Sequence, residues 1–207
     1  MSKIKICGLT RLEDITAVNR VLPDYTGFVF AQSKRRIAAK TAAALKEKLM
    51  PDIKAVGVFV NEDIAVISEI YINGIIDLVQ LHGDEDDEYI KRLKNTCGCK
   101  VIKSIGVGNS VAGQLPPLPI EPDYLLFDTL SVQRGGTGKT FDWNLLKEYN
   151  GLPYFLAGGL SLENIDNAIE LLAPFCLDVS SGVETDGTKE AAKIEKFVNA
   201  VRRKKDD

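Results

Sequence analysis

Cys7 stands at the end of a short apolar segment, Ile4-Lys5-Ile6, and is followed by Gly8. A thiol with an unperturbed pKa of about 8.5 can act as a base or a nucleophile once its surroundings favour the thiolate. Taken alone, it reads as well as a small buried hydrophobe. Asp128 closes a second apolar segment, Tyr124 to Phe127, and can supply a carboxylic acid. A general acid facing a general base across a sugar phosphate is the minimal equipment for converting an aldose to a ketose. Two glycine-bearing turns, Ala157-Gly158-Gly159-Leu160 and Ser180-Ser181-Gly182-Val183-Glu184, offer bare backbone N–H groups suited to an anion such as a phosphate. Arg35 and Arg36 could grip a carboxylate through a guanidinium fork, or belong to a solvated basic loop. His82, the only histidine, fits a structural hydrogen-bonding role better than a catalytic one.

These residues need elements to position them. Apolar runs rich in Val, Ile, Phe and Leu recur at 4–6, 26–30, 55–60, 78–81, 100–105, 124–127, 154–157 and 176–179, and each reads as a strand. Between them lie segments with apolar residues three to four apart, such as Ile15, Val18 and Leu22 or Ile165, Ile169 and Leu172, which suit helices packing one face on a sheet. A β then α alternation repeated about eight times in 207 residues predicts an α/β fold, a single (β/α)8 TIM barrel spanning 1–207 as one domain. In such a barrel, chemistry sits where the strands end at their C-terminal side. Cys7, His82, Asp128 and both glycine turns all occupy such positions. The prolines Pro116, Pro117, Pro119 and Pro122 mark a loop before the sixth strand.

Charge and composition exclude several functions. Lys plus Arg number 26 against 29 Asp plus Glu, a net charge of −3, so the basic footprint of a nucleic-acid binder is missing. No apolar run approaches the roughly 18 residues of a membrane span, and no signal peptide is evident, which predicts a cytoplasmic protein. Cys7, Cys97, Cys99 and Cys176 read as reduced thiols, and one C-x-C with one His supplies too few ligands for zinc. Arg134 to Thr140 imitates a phosphate-binding P-loop, but Gln133 stands where that motif needs glycine. The same stretch reads instead as a lid after the sixth strand, with Lys139 available to an anion.

Taken together and in order, a set of motifs resembles the phosphoribosylanthranilate isomerases of tryptophan biosynthesis. They are Lys5-Ile6-Cys7-Gly8-Leu9-Thr10, Gly27 to Phe30, Ser33-Lys34-Arg35, Val56 to Phe59, Val79-Gln80-Leu81-His82-Gly83, Gly136 to Trp143, Ala157 to Leu160 and Asp178 to Glu184. The resemblance implies an Amadori rearrangement without metal or organic cofactor, with Asp128 as the acid and Cys7 as the base. It implies that Arg35 binds the anthranilate carboxylate, with Arg36 as the alternative. Gly158, Gly159, Ser180, Ser181 and Gly182 would hold the phosphate, Asp178 would face the ribose hydroxyls, and Gln80 and His82 would support the site. The expected partner is a small phosphorylated substrate, with no nucleic acid and no membrane, and the chain is expected as a monomer or homodimer. Two rivals remain: a histidine-pathway isomerase of the same fold, which relies on two aspartates, and a barrel that binds a phosphorylated ligand without turning it over.

Overall fold

The computed structural model describes residues 2–108, 114–129 and 140–203. Eight strands, β1 (Lys3–Cys7), β2 (Tyr25–Val29), β3 (Lys54–Phe59), β4 (Leu78–Leu81), β5 (Val101–Val107), β6 (Tyr124–Thr129), β7 (Tyr154–Leu156) and β8 (Cys176–Val179), pair in sequence order. All neighbours are parallel, and β1 pairs with β8, so the sheet closes into a (β/α)8 barrel. Six helices follow in chain order: α1 (Leu12–Val21), α2 (Ala39–Lys46), α3 (Ile64–Ile72), α4 (Asp87–Cys97), α5 (Ile165–Leu172) and α6 (Ala191–Arg203).

Alternation along the strands divides the apolar residues into two bodies. Ile4, Ile6, Val79, Leu81, Leu125, Phe127, Leu177 and Val179 point outwards and pack with helix residues such as Ile15, Val18, Ile67, Leu93, Ile165 and Phe197. Tyr25, Val56, Leu78, Ile102, Leu126, Phe155 and Cys176 point inwards and fill the barrel's centre. Because both strand faces are buried, the strands read as nearly continuous apolar runs.

At the N-terminal end of the barrel one device recurs three times. Asp24, just before β2, accepts from the N–H of Ile4 at 3.0 Å. Asp77, before β4, accepts from Ala55 N–H at 2.7 Å, and Asp123, before β6, accepts from Val101 N–H at 2.9 Å. Each carboxylate thus satisfies a backbone donor within the first two residues of the preceding strand.

Among the described residues the expected eightfold alternation is not complete. Between β5 and β6, residues 114–123 form no helix, and Pro116, Pro117, Pro119 and Pro122 explain this by removing backbone donors and fixing φ. Between β6 and β7 the described residues contain only a short 3-10 turn, Trp143–Leu146, with Asp142 Oδ1 accepting from Asn144 N–H at 3.0 Å. A second 3-10 turn, Ser181–Val183, follows β8 and leads into an antiparallel hairpin of β9 (Glu184–Thr185) and β10 (Thr188–Lys189). Its two connecting residues, Asp186 and Gly187, have φ of 51° and 77°. Positive φ at both positions is the type I′ geometry that Asp-Gly favours in two-residue hairpins.

Candidate active site

The C-terminal ends of the strands surround a cavity of about 430 Å³, lined among others by Cys7, Arg35, Gln80, His82, Asp128 and Asp178. Gly158, Gly159, Ser180 and Ser181 line it too, so the structure brings these sequence-selected residues to one place. Gly182 is not among the lining residues; a side chain there would collide with the carbonyl of Leu160, which is. The lid residues 134–139, including Lys139, fall outside the described residues.

Strand parity explains the inward set. Lys5 and Cys7 share the inner face of β1, and Gly27 of β2 sits opposite Cys7 in register. A side chain at Gly27 would come within 2.6 Å of the Cys7 sulfur, so the glycine makes the space that the thiol occupies. Gly8 follows with a φ of 84°, and a Cβ there would meet Arg35 Cδ at 2.5 Å. Glycine is therefore needed both for the turn and for the passage of the Arg35 stem.

Lys5 is fully buried at the centre of the barrel. Its ammonium donates to Asp178 Oδ2 at 2.7 Å and to Gln80 Oε1 at 2.8 Å. Burial alone would lower its pKa, but the charges of Asp178 and Cys7 outweigh it and hold the group above the ordinary lysine value. Because Lys5 can only donate, it fixes the Gln80 amide with its oxygen inwards. The Gln80 nitrogen then faces His82 Nδ1 at 3.0 Å, and Ser104 Oγ lies 2.7 Å from the same ring atom. With Nδ1 accepting, the neutral imidazole carries its proton on Nε2, which lies 3.5 Å from Asp128 Oδ2. A chain of polar contacts thus runs from Asp178 through Lys5, Gln80 and His82 to Asp128. Asp178 Oδ1 is buried with no hydrogen-bond partner among the described residues and borders the cavity.

The two groups suited to proton transfer are both held towards their protonated forms. Burial pushes the Cys7 thiol above its ordinary value; Lys5 opposes the shift, Asp178 adds to it, and Lys189 again opposes it. Burial also raises Asp128, to about 6, with the Asp178 charge adding to the effect and the Thr129 backbone N–H and Lys5 working against it. The carboxyl therefore keeps a proton in reach near neutrality.

Arg35 enters the cavity rim already engaged. Its Nε and Nη2 donate to the two carboxylate oxygens of Glu184 at 2.7 and 2.8 Å. Arg36, by contrast, is exposed, does not line the cavity and donates to Gln32 at 3.1 Å. At the glycine turns, Gly158 and Gly159 have φ of 82° and 73°. None of the backbone hydrogen bonds between described residues takes the N–H of Gly159, Ser180 or Ser181. Ser180 Oγ donates to the Cys7 carbonyl at 2.9 Å, tying the last turn to the first strand.

Lys5, Glu184 and Lys189 belong to this site but carry no role in the sequence reading. Lys5 was signalled only by a lysine between two isoleucines at the inward parity of a strand. Glu184 and Lys189 were signalled by the Asp186-Gly187 pair, which makes them cross-strand neighbours in the hairpin.

A closed barrel whose cavity carries a thiol, a proton-retaining carboxyl, an arginine and open backbone donors is that of a barrel enzyme acting on a small anionic substrate by proton transfer. The family model for N-(5′-phosphoribosyl)anthranilate (PRA) isomerase matches residues 4–200. The N-(5′-phosphoribosyl)anthranilate isomerase of Clostridium acetobutylicum is 49% identical, over 98% of this chain and 99% of the relative. The crystal structure of phosphoribosyl anthranilate isomerase from Thermotoga maritima superposes with a TM-score of 0.85 at 36% identity, covering 98% of this chain and 100% of that one. A further solved structure, of such an isomerase in complex with reduced 1-(o-carboxyphenylamino)-1-deoxyribulose 5-phosphate, has a TM-score of 0.82 at 34% identity, with 98% and 100% covered. The chain belongs to the N-(5′-phosphoribosyl)anthranilate isomerase family.

Proposed function

We propose that this chain converts N-(5-phosphoribosyl)anthranilate to 1-(2-carboxyphenylamino)-1-deoxyribulose 5-phosphate in tryptophan biosynthesis, with Asp128 as general acid and Cys7 as general base. The observation that carries this reading is that both groups border one cavity of about 430 Å³, which also holds an arginine and open backbone donors. Asp128 gives its proton to the ribose ring oxygen as the bond from that oxygen to C1 breaks, and the nitrogen lone pair forms a C1–N iminium. The Cys7 thiolate then removes the C2 proton. The released electron pair forms C1=C2 while the C=N pair returns to nitrogen, giving an enolamine. Loss of the C2 hydroxyl proton and protonation of C1 complete the ketone, so the sequence is redox-neutral. The iminium draws electrons from C2, which makes a thiolate sufficient as the base.

The rest of the lining divides by charge. Arg35 supplies the donor fork for the anthranilate carboxylate, and its position at the rim favours it over the outward Arg36. The turns carrying Gly158, Gly159, Ser180, Ser181 and Gly182 hold the phosphate by backbone N–H groups. Asp178 Oδ1 accepts from a ribose hydroxyl, which would give that buried oxygen the partner it lacks among the described residues. Gln80 and His82 orient the acid. The chain works as a single domain in the cytoplasm, a setting that fits four unpaired cysteines, and as a monomer or homodimer. The direct experiment follows the loss of substrate fluorescence with freshly made N-(5-phosphoribosyl)anthranilate. Turnover is expected; binding of the reduced product analogue without turnover would favour the ligand-binding barrel instead.

A further inference from the structure

We propose that Glu184 is a positioning residue that sets this site's preference for a carboxylate-bearing substrate, by holding Arg35 with one edge of its guanidinium turned to the cavity. The inference rests on the reading of Arg35 as the carboxylate anchor. Glu184 occupies the Nε and Nη2 edge of Arg35 in a two-bond pair. Among the described residues no hydrogen bond takes Nη1, so the outer Nη1 and Nη2 edge is left as a second fork of the shape a carboxylate fits. An arginine stem is flexible, and a guanidinium clamped on one edge loses less freedom when the other edge binds.

Glu184 is itself clamped. Lys189, buried and directly across the hairpin, donates to Glu184 Oε1 at 2.6 Å. The same ammonium donates to Ser180 O at 3.0 Å and Ser180 Oγ at 3.1 Å, so its three protons are all committed within the protein. It therefore acts on Glu184 and on the turn rather than on a ligand. Burial alone would raise the Glu184 carboxyl, but hydrogen bonds and charges from Arg35 and Lys189 bring it down to about 2. Glu184 is ionised at every working pH. Two cations share one anion, which leaves one positive charge in surplus at the cavity rim, the complement of one substrate carboxylate. The Asp186-Gly187 turn is what brings Lys189 opposite Glu184, so the small hairpin has a role beyond linking β8 to α6.

The test compares two probes by isothermal titration: the reduced product analogue and its phenylamino counterpart lacking the carboxylate. Taking their affinity ratio cancels effects on the phosphate. The wild-type protein is expected to prefer the carboxylate by about ten- to hundredfold, the scale of a charge-assisted pair. Glu184→Gln keeps one acceptor but turns an amide N–H towards Nη2, and should reduce the preference to within about threefold, with KM raised and kcat within severalfold of wild type. Because this variant leaves a buried ammonium short of its counter-charge, the double variant E184Q/K189M is measured as well and should lose the preference equally, although Arg35 keeps its charge. Arg35→Ala separates the two readings. If it retains the preference, the anchor reading fails and this inference with it. If Arg35→Ala loses the preference while both Glu184 variants keep it, the anchor stands and the role of Glu184 is overturned.

Discussion

The two ends of the barrel use carboxylates in opposite ways. At the N-terminal end Asp24, Asp77 and Asp123 repeat one arrangement, each accepting from a backbone N–H at the start of the preceding strand. Asp77 and Asp123 also meet the lysines Lys46 and Lys94. At the C-terminal end no arrangement repeats. Asp128 is held partly protonated, Asp178 has one oxygen bound to Lys5 and one without a partner among the described residues, and Glu184 is locked between two cations. The lesson is that repetition marks carboxylates serving the fold, whereas those proposed to serve chemistry each have a setting of their own.

If that division is right, substitutions at the two ends should fail in different assays. The largest effect belongs to Cys7→Ala and Asp128→Asn. In the proposed roles each removes a proton-transfer group, and kcat should fall by about 10²–10⁴ or more while the affinity for the reduced product analogue changes little. Near-normal turnover in either variant would strike that residue from the mechanism. Asp77→Ala should do the reverse. It leaves the buried Ala55 N–H without its acceptor, costing about 1–3 kcal/mol, or roughly 2–4 °C in Tm per kcal/mol, with kcat/KM close to wild type. A large loss of activity in that protein would blur the comparison. The smallest effect is on the stability of Asp128→Asn. The folded-state pKa of Asp128 is raised from the ordinary 3.8 to about 6, so its contribution favours the fold below the lower value and is lost as pH rises through the upper one. Asp128→Asn should therefore raise Tm by a few degrees at pH 8 relative to wild type and give no such gain at pH 4.

Much of this was legible before the structure. All eight strands were readable because burial on both faces makes them apolar throughout, and Cys7 and Asp128 could be placed at the cavity because strand ends are where a barrel exposes polar groups. The eightfold alternation of strands with helices was less so: among the described residues 114–123 form no helix, where the prolines of 116–122, already legible as a loop, remove backbone donors. Which of Arg35 and Arg36 lines the cavity needed the structure as well, because adjacent side chains point apart. Lys5 was given no role because a lysine inside a strand normally signals an exposed face. Here its partners Asp178 and Gln80 lie 173 and 75 residues away, beyond any local pattern. The Glu184 and Lys189 pairing had a local signal in Asp186-Gly187, but its meaning depended on Arg35, which arrives from the other end of the chain.

The central claim is that a thiol raised above its ordinary pKa and a carboxyl near 6 act as base and acid in one cavity. The competent enzyme then carries its proton on Asp128 and not on Cys7, the minor arrangement of the two at neutral pH. Between the two pKa values the fraction in that arrangement is independent of pH, so both limbs of the profile lie outside that range. The decisive measurement is kcat/KM of the wild-type enzyme from pH 5 to 10. The substrate phosphate also titrates at about 6, which makes the region above it the informative one. A flat profile from about pH 7 to about 9 is expected. A tenfold fall per pH unit beginning at 6 would mean that the base is already ionised below that pH, and would contradict the assignment of Cys7.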